Sequence, residues 1–189
     1  MYTQAYLLAQ WERPSITIVG YSGENAVDSD SNGLYDRLEI AVNVKASVAG
    51  EYRWNASLTN DCGQLVGSAS GDVNLSSDVV QTITLAFDGH AIGRAGVSGA
   101  FKLDTLRVTG PASASEPETV SAYDVAETDS YNATAFEEYT PAVDLNLNGT
   151  PDVCDIFHGN SRDCNGNSIV DEAENDNDAD GDDEQHKGS

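Results

Sequence analysis

The chain has 189 residues, and its 32 acidic residues against 9 lysines and arginines give a formal net charge of -23. That length accommodates one well-buried domain of ordinary size and a small appendage. Nucleic-acid backbones and anionic membrane surfaces repel such a polyanion, so we expect neither as a partner, and no apolar run is long enough for a transmembrane segment. The acidity is instead compatible with cation binding.

Residues 1–13 precede the first predicted strand and resemble a later part of the chain. Residues 3–12 match residues 128–137 at a threonine, a tyrosine and a glutamate, with Trp11 in the place of Phe136. Either residues 1–13 are the tail of a preceding repeat or a linker, or the match is a coincidence. In a tandem array, neighbouring modules of the same chain would be the partners of this one.

Seven short segments have the composition and spacing of β-strands. Apolar and polar residues alternate most clearly at 38–44 and 52–58, and glycine-containing turns separate the apolar runs. No segment of the first 140 residues has helical periodicity over a sufficient length. The predicted strands are residues 16–19, 38–44, 52–58, 64–69, 79–87, 101–108 and 119–125. They predict an all-β fold over residues 14–140, an antiparallel β-sandwich of immunoglobulin-like or jelly-roll-like type.

A loop between the first two predicted strands carries oxygen-bearing side chains at alternate positions. Residues 28–39 (loop 1), DSDSNGLYDRLE, follow the calcium-loop pattern DxDxNGxxDxxE. Calcium takes about six to eight oxygen ligands, and the alternative is a polar turn without an ion. Glu39 is the least secure ligand, because it lies in a predicted strand on the face opposite Leu38. The predicted ligands are Asp28, Asp30, Asn32, the Leu34 carbonyl, Asp36 and Glu39.

Two more copies of this pattern follow, at residues 144–155 (loop 2) and 163–174 (loop 3). Their close spacing leaves no room for EF-hand helices between them, so we predict a small dockerin-like or EF-hand-like pair of loops over residues 141–175, joined by at most a short helical turn. Ser168 replaces the usual glycine at position 6 of loop 3. The alternative is an acidic disordered segment, which is also our prediction for the mobile tail, 176–189. The predicted ligands are Asp144, Asn146, Asn148, the Thr150 carbonyl, Asp152 and Asp155 in loop 2, and Asp163, Asn165, Asn167, the Ile169 carbonyl, Asp171 and Glu174 in loop 3.

The cysteines are placed asymmetrically in the two C-terminal loops. Cys154 is at position 11 of loop 2 and Cys164 at position 2 of loop 3, whereas the equivalent outer positions hold Leu145 and Ala173. This arrangement predicts a disulfide between Cys154 and Cys164; the alternative is two free thiols. Cys62 is left over, as a free thiol or an intermolecular link. A disulfide would favour an oxidising compartment.

Several segments resemble known extracellular modules. DSDSNGLYDRLEIAVNV, FDGHAIGRAGVSGAFKL and AYDVAETDSYNATAFE resemble a calcium-loop β-sandwich module of large secreted bacterial surface proteins. DLNLNGTPDVCDIFHGNSRDCNGNSIVDEAE resembles planctomycete-type repeats, which are related to dockerin and thrombospondin type 3 calcium repeats. The resemblance implies bound calcium, an extracellular location, secreted or at the cell surface, and an accessory or adhesive role.

No pattern of enzyme catalysis accompanies these loops. The sequence contains no nucleophile elbow, zinc-protease motif or phosphate-binding loop, so we predict no enzymatic activity. The leading hypothesis is a calcium-binding structural or adhesion module, in which calcium rigidifies the loops and the linker between modules. The alternative is a carbohydrate-binding module, or a dockerin-like docking module of a secreted enzyme, with a glycan or a protein receptor as the partner.

Overall fold

Seven β-strands form two antiparallel sheets that enclose one hydrophobic core. The computed structural model describes residues 14–174. One sheet has the order β1-β2-β5 and the other the order β4-β3-β6-β7. The strands are β1 (Ile16–Val27), β2 (Arg37–Ala46), β3 (Gly50–Asn60), β4 (Leu65–Leu75), β5 (Val80–Asp88), β6 (Gly99–Gly110) and β7 (Glu118–Tyr131). The predicted all-β antiparallel sandwich is confirmed.

The core forms because alternate side chains of the strands face the opposite sheet. In β2 and β3 every second residue is buried, as the sequence pattern predicts. Trp54 is only 8% exposed and packs in this core. Burying one large aliphatic or aromatic side chain contributes about 1.5–3 kcal/mol against the entropy cost of folding, and the sandwich core contains many such side chains. The central buried residues are Leu38, Ile40, Val42, Val44, Tyr52, Leu58, Leu85 and Phe101.

Strands β1, β4 and β7 are longer than predicted. The register of β1 against β2 shifts between Ile18 and Gly20 and again between Tyr21 and Gly23. The pairing of β7 with β6 has two such shifts as well. A bulge interrupts the alternation of inward and outward side chains, so the apolar pattern ends before the strand does.

A short helix that the sequence did not predict follows β5. Helix α1 spans Gly89–Ala95, and the Asp88 side chain accepts a hydrogen bond from the His90 backbone N–H at its start. Gly96, with a φ of 70°, ends it in the left-handed conformation. Seven residues are too few for a recognisable helical periodicity.

Loop 1 lies at one end of the sandwich, together with several other connections between the strands. Arg37 at the start of β2 pairs with Asp88, and Gly99 at the start of β6 pairs with Tyr131. Loop 1, the β3–β4 turn, α1 and the segment that follows β7 therefore all lie at this end, which we call the loop end.

The segment after β7 contains little regular structure. It comprises a 3₁₀ turn at Ala133–Ala135, helix α2 at Asp152–His158 and a second 3₁₀ turn at Asp171–Ala173. Within residues 14–174 no helix has the length and hydrophobicity needed to cross a bilayer. The predictions for residues 1–13 and 176–189, including the repeat at 3–12, concern positions outside the described residues.

Candidate metal-binding loops

Loop 1 gathers three carboxylates at the loop end of the sandwich. One ligand oxygen from each of Asp28, Asp30 and Asp36 lies within 4.8 Å of the other two. In the described part of the chain this is the one such group of three acidic, histidine or cysteine residues. The structure therefore brings three of the predicted ligands of loop 1 together.

All three loops follow the same backbone path. Positions 4 and 6 have positive φ in every loop, a conformation that residues other than glycine rarely adopt. The φ values are 63° and 91° at Ser31 and Gly33, 56° and 87° at Leu147 and Gly149, and 72° and 67° at Gly166 and Ser168. Ser168 thus takes the conformation that the pattern assigns to glycine.

The same hydrogen bonds hold the side chains inside each loop. The position-6 N–H donates to the position-1 carboxylate, at 2.9 Å in loops 1 and 2 and 2.8 Å in loop 3. The position-7 N–H donates to the side-chain oxygen of the position-5 asparagine, at 2.7 Å in loops 1 and 2 and 2.8 Å in loop 3. These carboxylate and amide oxygens keep lone pairs for a cation.

The position-9 carboxylate also accepts a backbone hydrogen bond in each loop. Asp36 accepts from the Ser29 N–H, Asp152 from Leu145 at 3.0 Å, and Asp171 from Cys164 at 2.9 Å. The Ser29 N–H holds the pKa of Asp36 below its ordinary value. Hydrogen bonds from the Cys164 side chain and backbone do the same for the pKa of Asp171. Both carboxylates are therefore charged at neutral pH and available to a cation.

The late carboxylate differs between loop 1 and the other two loops. Glu39 lies in β2, where its Oε1 is 2.7 Å from Arg37 Nε, and it does not join the carboxylates of Asp28, Asp30 and Asp36. Asn32 Nδ2 donates to Glu137 Oε1 at 2.6 Å and to Asp30 Oδ2 of its own loop at 3.1 Å. Glu137, like Glu39, is not one of the three clustered carboxylates. Glu137 is not predicted from the sequence, because no local pattern relates it to a loop 105 residues away.

Loops 2 and 3 use their own position-12 residues. Asn148 Nδ2 donates to Asp155 Oδ2 at 2.8 Å, and Asn167 donates to Glu174. Asp152 and Asp155 are only 1% and 2% exposed. Two carboxylates of loop 2 are therefore nearly removed from water.

The predicted disulfide between Cys154 and Cys164 is wrong, because Cys154 is bonded to Cys62 across 92 residues. The first turns of α2 pack on the β3–β4 turn, where Cys62, Cys154 and Val97 form a small buried apolar cluster. The two Cα atoms are 4.6 Å apart, as a disulfide requires. Cys164 is exposed in loop 3. Cys62 is thus not left over, and it attaches loop 2 to the sandwich.

The outer face of the four-stranded sheet has a shallow cleft of about 410 Å³. Its lining is polar, with Asn55, Ser57, Ser68, Ser70, Thr105 and Arg107. Because Trp54 faces the core, it offers no aromatic platform to a sugar. The carbohydrate-binding alternative stays a prediction.

Comparisons with known proteins find only distant structural likenesses. No protein-family model and no curated protein sequence matches the chain. The C-terminal domain of wzt is similar at a TM-score of 0.43 and 10% identity, over 63% of this chain and 75% of that one. The β-glucosidase DesR from Streptomyces venezuelae has a TM-score of 0.31 and 18% identity, over 58% of this chain and 15% of that one. β-Glucosidase 3B from Thermotoga neapolitana has a TM-score of 0.29 and 14% identity, over 62% of this chain and 17% of that one.

Proposed function

We propose that this chain is a calcium-binding structural module of a secreted or cell-surface protein. The observation that carries the proposal is the common conformation of three separate loops, with positive φ at positions 4 and 6 of each. That backbone path turns the side chains of positions 1, 3 and 5 toward one point, which is how calcium loops surround their ion.

The charge balance of the loops supports a bound cation. Among the described residues, the ion pairs involve Glu39, Asp72, Asp78, Asp88 and Glu138, and none includes a carboxylate at position 1, 3 or 9 of a loop. Asp152 and Asp155 are nearly fully buried with only N–H donors as partners. Burying carboxylates without a counter-charge is costly. A divalent cation in loop 2 would offset that cost.

The donor set favours calcium over the transition metals. The ligand positions hold carboxylates, amides and backbone carbonyls, with no histidine or cysteine among them. Oxygen-only sites of high coordination number suit calcium, whereas zinc prefers nitrogen and sulfur. A flexible, irregular ring of oxygens also suits calcium better than magnesium, which requires near-octahedral geometry.

The role of the ions is to hold loops and connections in place. Loop 1 lies at the loop end of the sandwich, and the disulfide between Cys62 and Cys154 attaches loop 2 to the β3–β4 turn at the same end. Such a bond supports an oxidising compartment outside the cell. Calcium at this end would fix how the sandwich meets the following repeats, as a spacer or adhesion element requires.

Thermal unfolding with added calcium, with magnesium and with a chelator tests the proposal. Calcium at about a hundred times its Kd stabilises the native state by about 2.7 kcal/mol for each site, which raises Tm by about 5–10 °C in a chain of this size. Replacing Asp28 and Asp30 by alanine should remove the part of this shift that loop 1 contributes. Asp72→Asn with Glu51→Gln removes two charges of the outer sheet face and should leave the shift unchanged. Equal Tm values with calcium and with chelator would refute calcium binding.

A further inference from the structure

One carboxylate that meets loop 1 comes from the segment after β7 and lies outside the loop pattern. Glu137 Oε1 is 2.6 Å from the Nδ2 of Asn32, the position-5 residue. In loops 2 and 3 the position-5 amide donates to the position-12 carboxylate of the same loop, Asp155 or Glu174. In loop 1, Glu137 therefore accepts the hydrogen bond that the position-12 carboxylate accepts in loops 2 and 3.

The backbone after each loop explains the difference. Loops 2 and 3 run into α2 and into the 3₁₀ turn Asp171–Ala173, and the helical turn brings position 12 back toward position 5. Loop 1 runs into β2, which extends away from the loop and places Glu39 on the outer face of the sheet. There Glu39 pairs with Arg37. Position 12 of loop 1 is therefore turned away from the loop.

Contacts that do not involve the loop carboxylates place Glu137 at this site. The Tyr35 N–H donates to the Ala135 carbonyl at 2.8 Å, and the Glu137 N–H donates to the Tyr35 carbonyl at 3.3 Å. The buried Phe136 ring packs edge-on against Tyr35 at 5.4 Å. A Cβ at Gly93 would lie 2.0 Å from the Glu137 carbonyl oxygen, so only glycine in α1 permits this approach. The backbone of Glu137 is thus fixed by β-bridging and core packing.

Building on the proposed calcium function, we propose that Glu137 is the carboxylate ligand that completes the calcium site of loop 1, in place of Glu39. Asp28, Asp30 and Asp36 supply carboxylates from the β1–β2 connection, and Glu137 supplies one from the segment through which the chain leaves the sandwich. The ion joins two parts of the chain that are 105 residues apart. Calcium at loop 1 therefore holds the beginning of the connection to the repeats against the sandwich.

Calcium titration calorimetry of the full chain tests this assignment. Asp144→Ala and Asp163→Ala remove position 1 from loops 2 and 3, so that loop 1 is the remaining site. In this background Glu137→Gln keeps an oxygen that accepts the hydrogen bond from Asn32 Nδ2 but removes the negative charge. It should weaken calcium binding by about tenfold or more. Glu39→Gln and Glu138→Gln should leave the affinity unchanged, because both carboxylates pair with arginines. Glu138 is the matched control, since it is the next residue in the chain.

The outcomes separate this assignment from the function on which it rests. If Glu39→Gln weakens binding and Glu137→Gln does not, Glu137 is not the ligand, although the chain binds calcium. If the unmodified chain binds calcium and the double-alanine background does not, loop 1 is not a site and the assignment fails. If the unmodified chain binds no calcium, the proposed function fails as well. Glu137→Asp, which keeps the charge, should bind more tightly than Glu137→Gln, and equal affinities would exclude a direct carboxylate contact.

Discussion

The sandwich and the C-terminal repeats hold the same type of loop by different means. Loop 1 is closed by the β1–β2 ladder, which pairs Val27 with Arg37 and continues into the buried core. In residues 141–174 the buried apolar side chains are Cys154 and Val170. Loop 1 is therefore shaped from outside by the fold, whereas loops 2 and 3 depend on their own hydrogen bonds, on one disulfide and, in our proposal, on ions. A shared loop sequence does not fix how far a loop depends on its ion.

The largest expected effect comes from removing the disulfide, which should separate the two regions. Replacing Cys62 and Cys154 by serine should lower the free energy of local opening of α2 by about 2–4 kcal/mol, because the bond tethers this helix to the folded β3–β4 turn. The bond also closes a loop that contains β4 to β7, so the free energy of global unfolding should fall as well, but the core of β2 and β3 should stay protected because its buried side chains supply its stability. Native-state hydrogen exchange measures both quantities.

Cys164→Ser is the control for this change, since it replaces a thiol in the repeats and keeps a hydrogen-bonding group beside Asp171. It should leave the protection of α2 unchanged. If removal of the disulfide leaves neither α2 nor β2 protected, the two regions unfold together, and the contrast between them does not hold.

The sandwich could be predicted from sequence because its signal is local and repeated. Alternation in β2, β3 and β5 determined which side chains are buried, and each of the seven predicted strands exists. The ends of β1 and β7 were missed because bulges, such as the one between Tyr21 and Gly23, break that alternation. Helix α1 was missed because seven residues carry no periodic pattern. Regularity over many residues is what made the prediction possible.

The site was predictable only within each loop. Alternate oxygen-bearing residues and a glycine identify a turn such as 28–36, because all its parts lie within one short segment. The bond from Cys62 to Cys154 and the approach of Glu137 to Asn32 span 92 and 105 residues. Such contacts depend on how the strands are ordered in the sheets, which the sequence pattern does not contain. Glu39 is the opposite case: it fits position 12 of the pattern, but it lies in β2 and its side chain faces away from the loop.

A second, smaller effect concerns position 6 of the loops. A residue with a Cβ costs about 1 kcal/mol in the left-handed conformation, which Gly33, Gly149 and Ser168 adopt with φ of 91°, 87° and 67°. We expect loops 2 and 3 to fold only when they bind calcium. The strain at position 6 therefore lowers their calcium affinity. Ser168→Gly should therefore tighten calcium binding and Gly149→Ser should weaken it, each by about fivefold.

Gly33→Ser places the same change in loop 1. The β1–β2 ladder keeps loop 1 folded with or without the ion, so the strain is present in both states and leaves calcium affinity nearly unchanged. The substitution should instead lower the free energy of unfolding of the calcium-free chain by about 1 kcal/mol. Calorimetry and denaturant unfolding measure the two quantities. A loss of calcium affinity in Gly33→Ser equal to that in Gly149→Ser would mean that loop 1 also folds only with its ion.

The smallest expected effect uses tyrosines, which the sandwich contains and residues 141–174 lack. At the edge where the two sheets meet, Glu24 of β1 accepts hydrogen bonds from the hydroxyls of Tyr21 and Tyr131, both at 2.9 Å. Burial and the Glu24 carboxylate raise the pKa of Tyr21 from 10.0 to about 12, and the same causes raise the pKa of Tyr131. The folded state therefore holds both protons more tightly than the unfolded state does.

The stability that these tyrosines contribute should accordingly be complete below pH 10, the pKa of an ordinary tyrosine, and should be lost as the pH rises toward about 12. Tyr131→Phe removes the bond to Glu24 and should cost about 1 kcal/mol near neutral pH. Its loss of stability between about pH 10 and 12 should be less steep than that of the unmodified chain. Tyr123→Phe is the control, because Tyr123 lies in the same strand with 66% of its surface exposed. Denaturant unfolding across this pH range measures how steeply the free energy of unfolding falls with pH. The repeats contain no tyrosine, so tyrosine ionisation in this range acts on the sandwich. If the free energy of unfolding of Tyr131→Phe falls as steeply as that of the unmodified chain, the alkaline transition does not report on the sandwich edge.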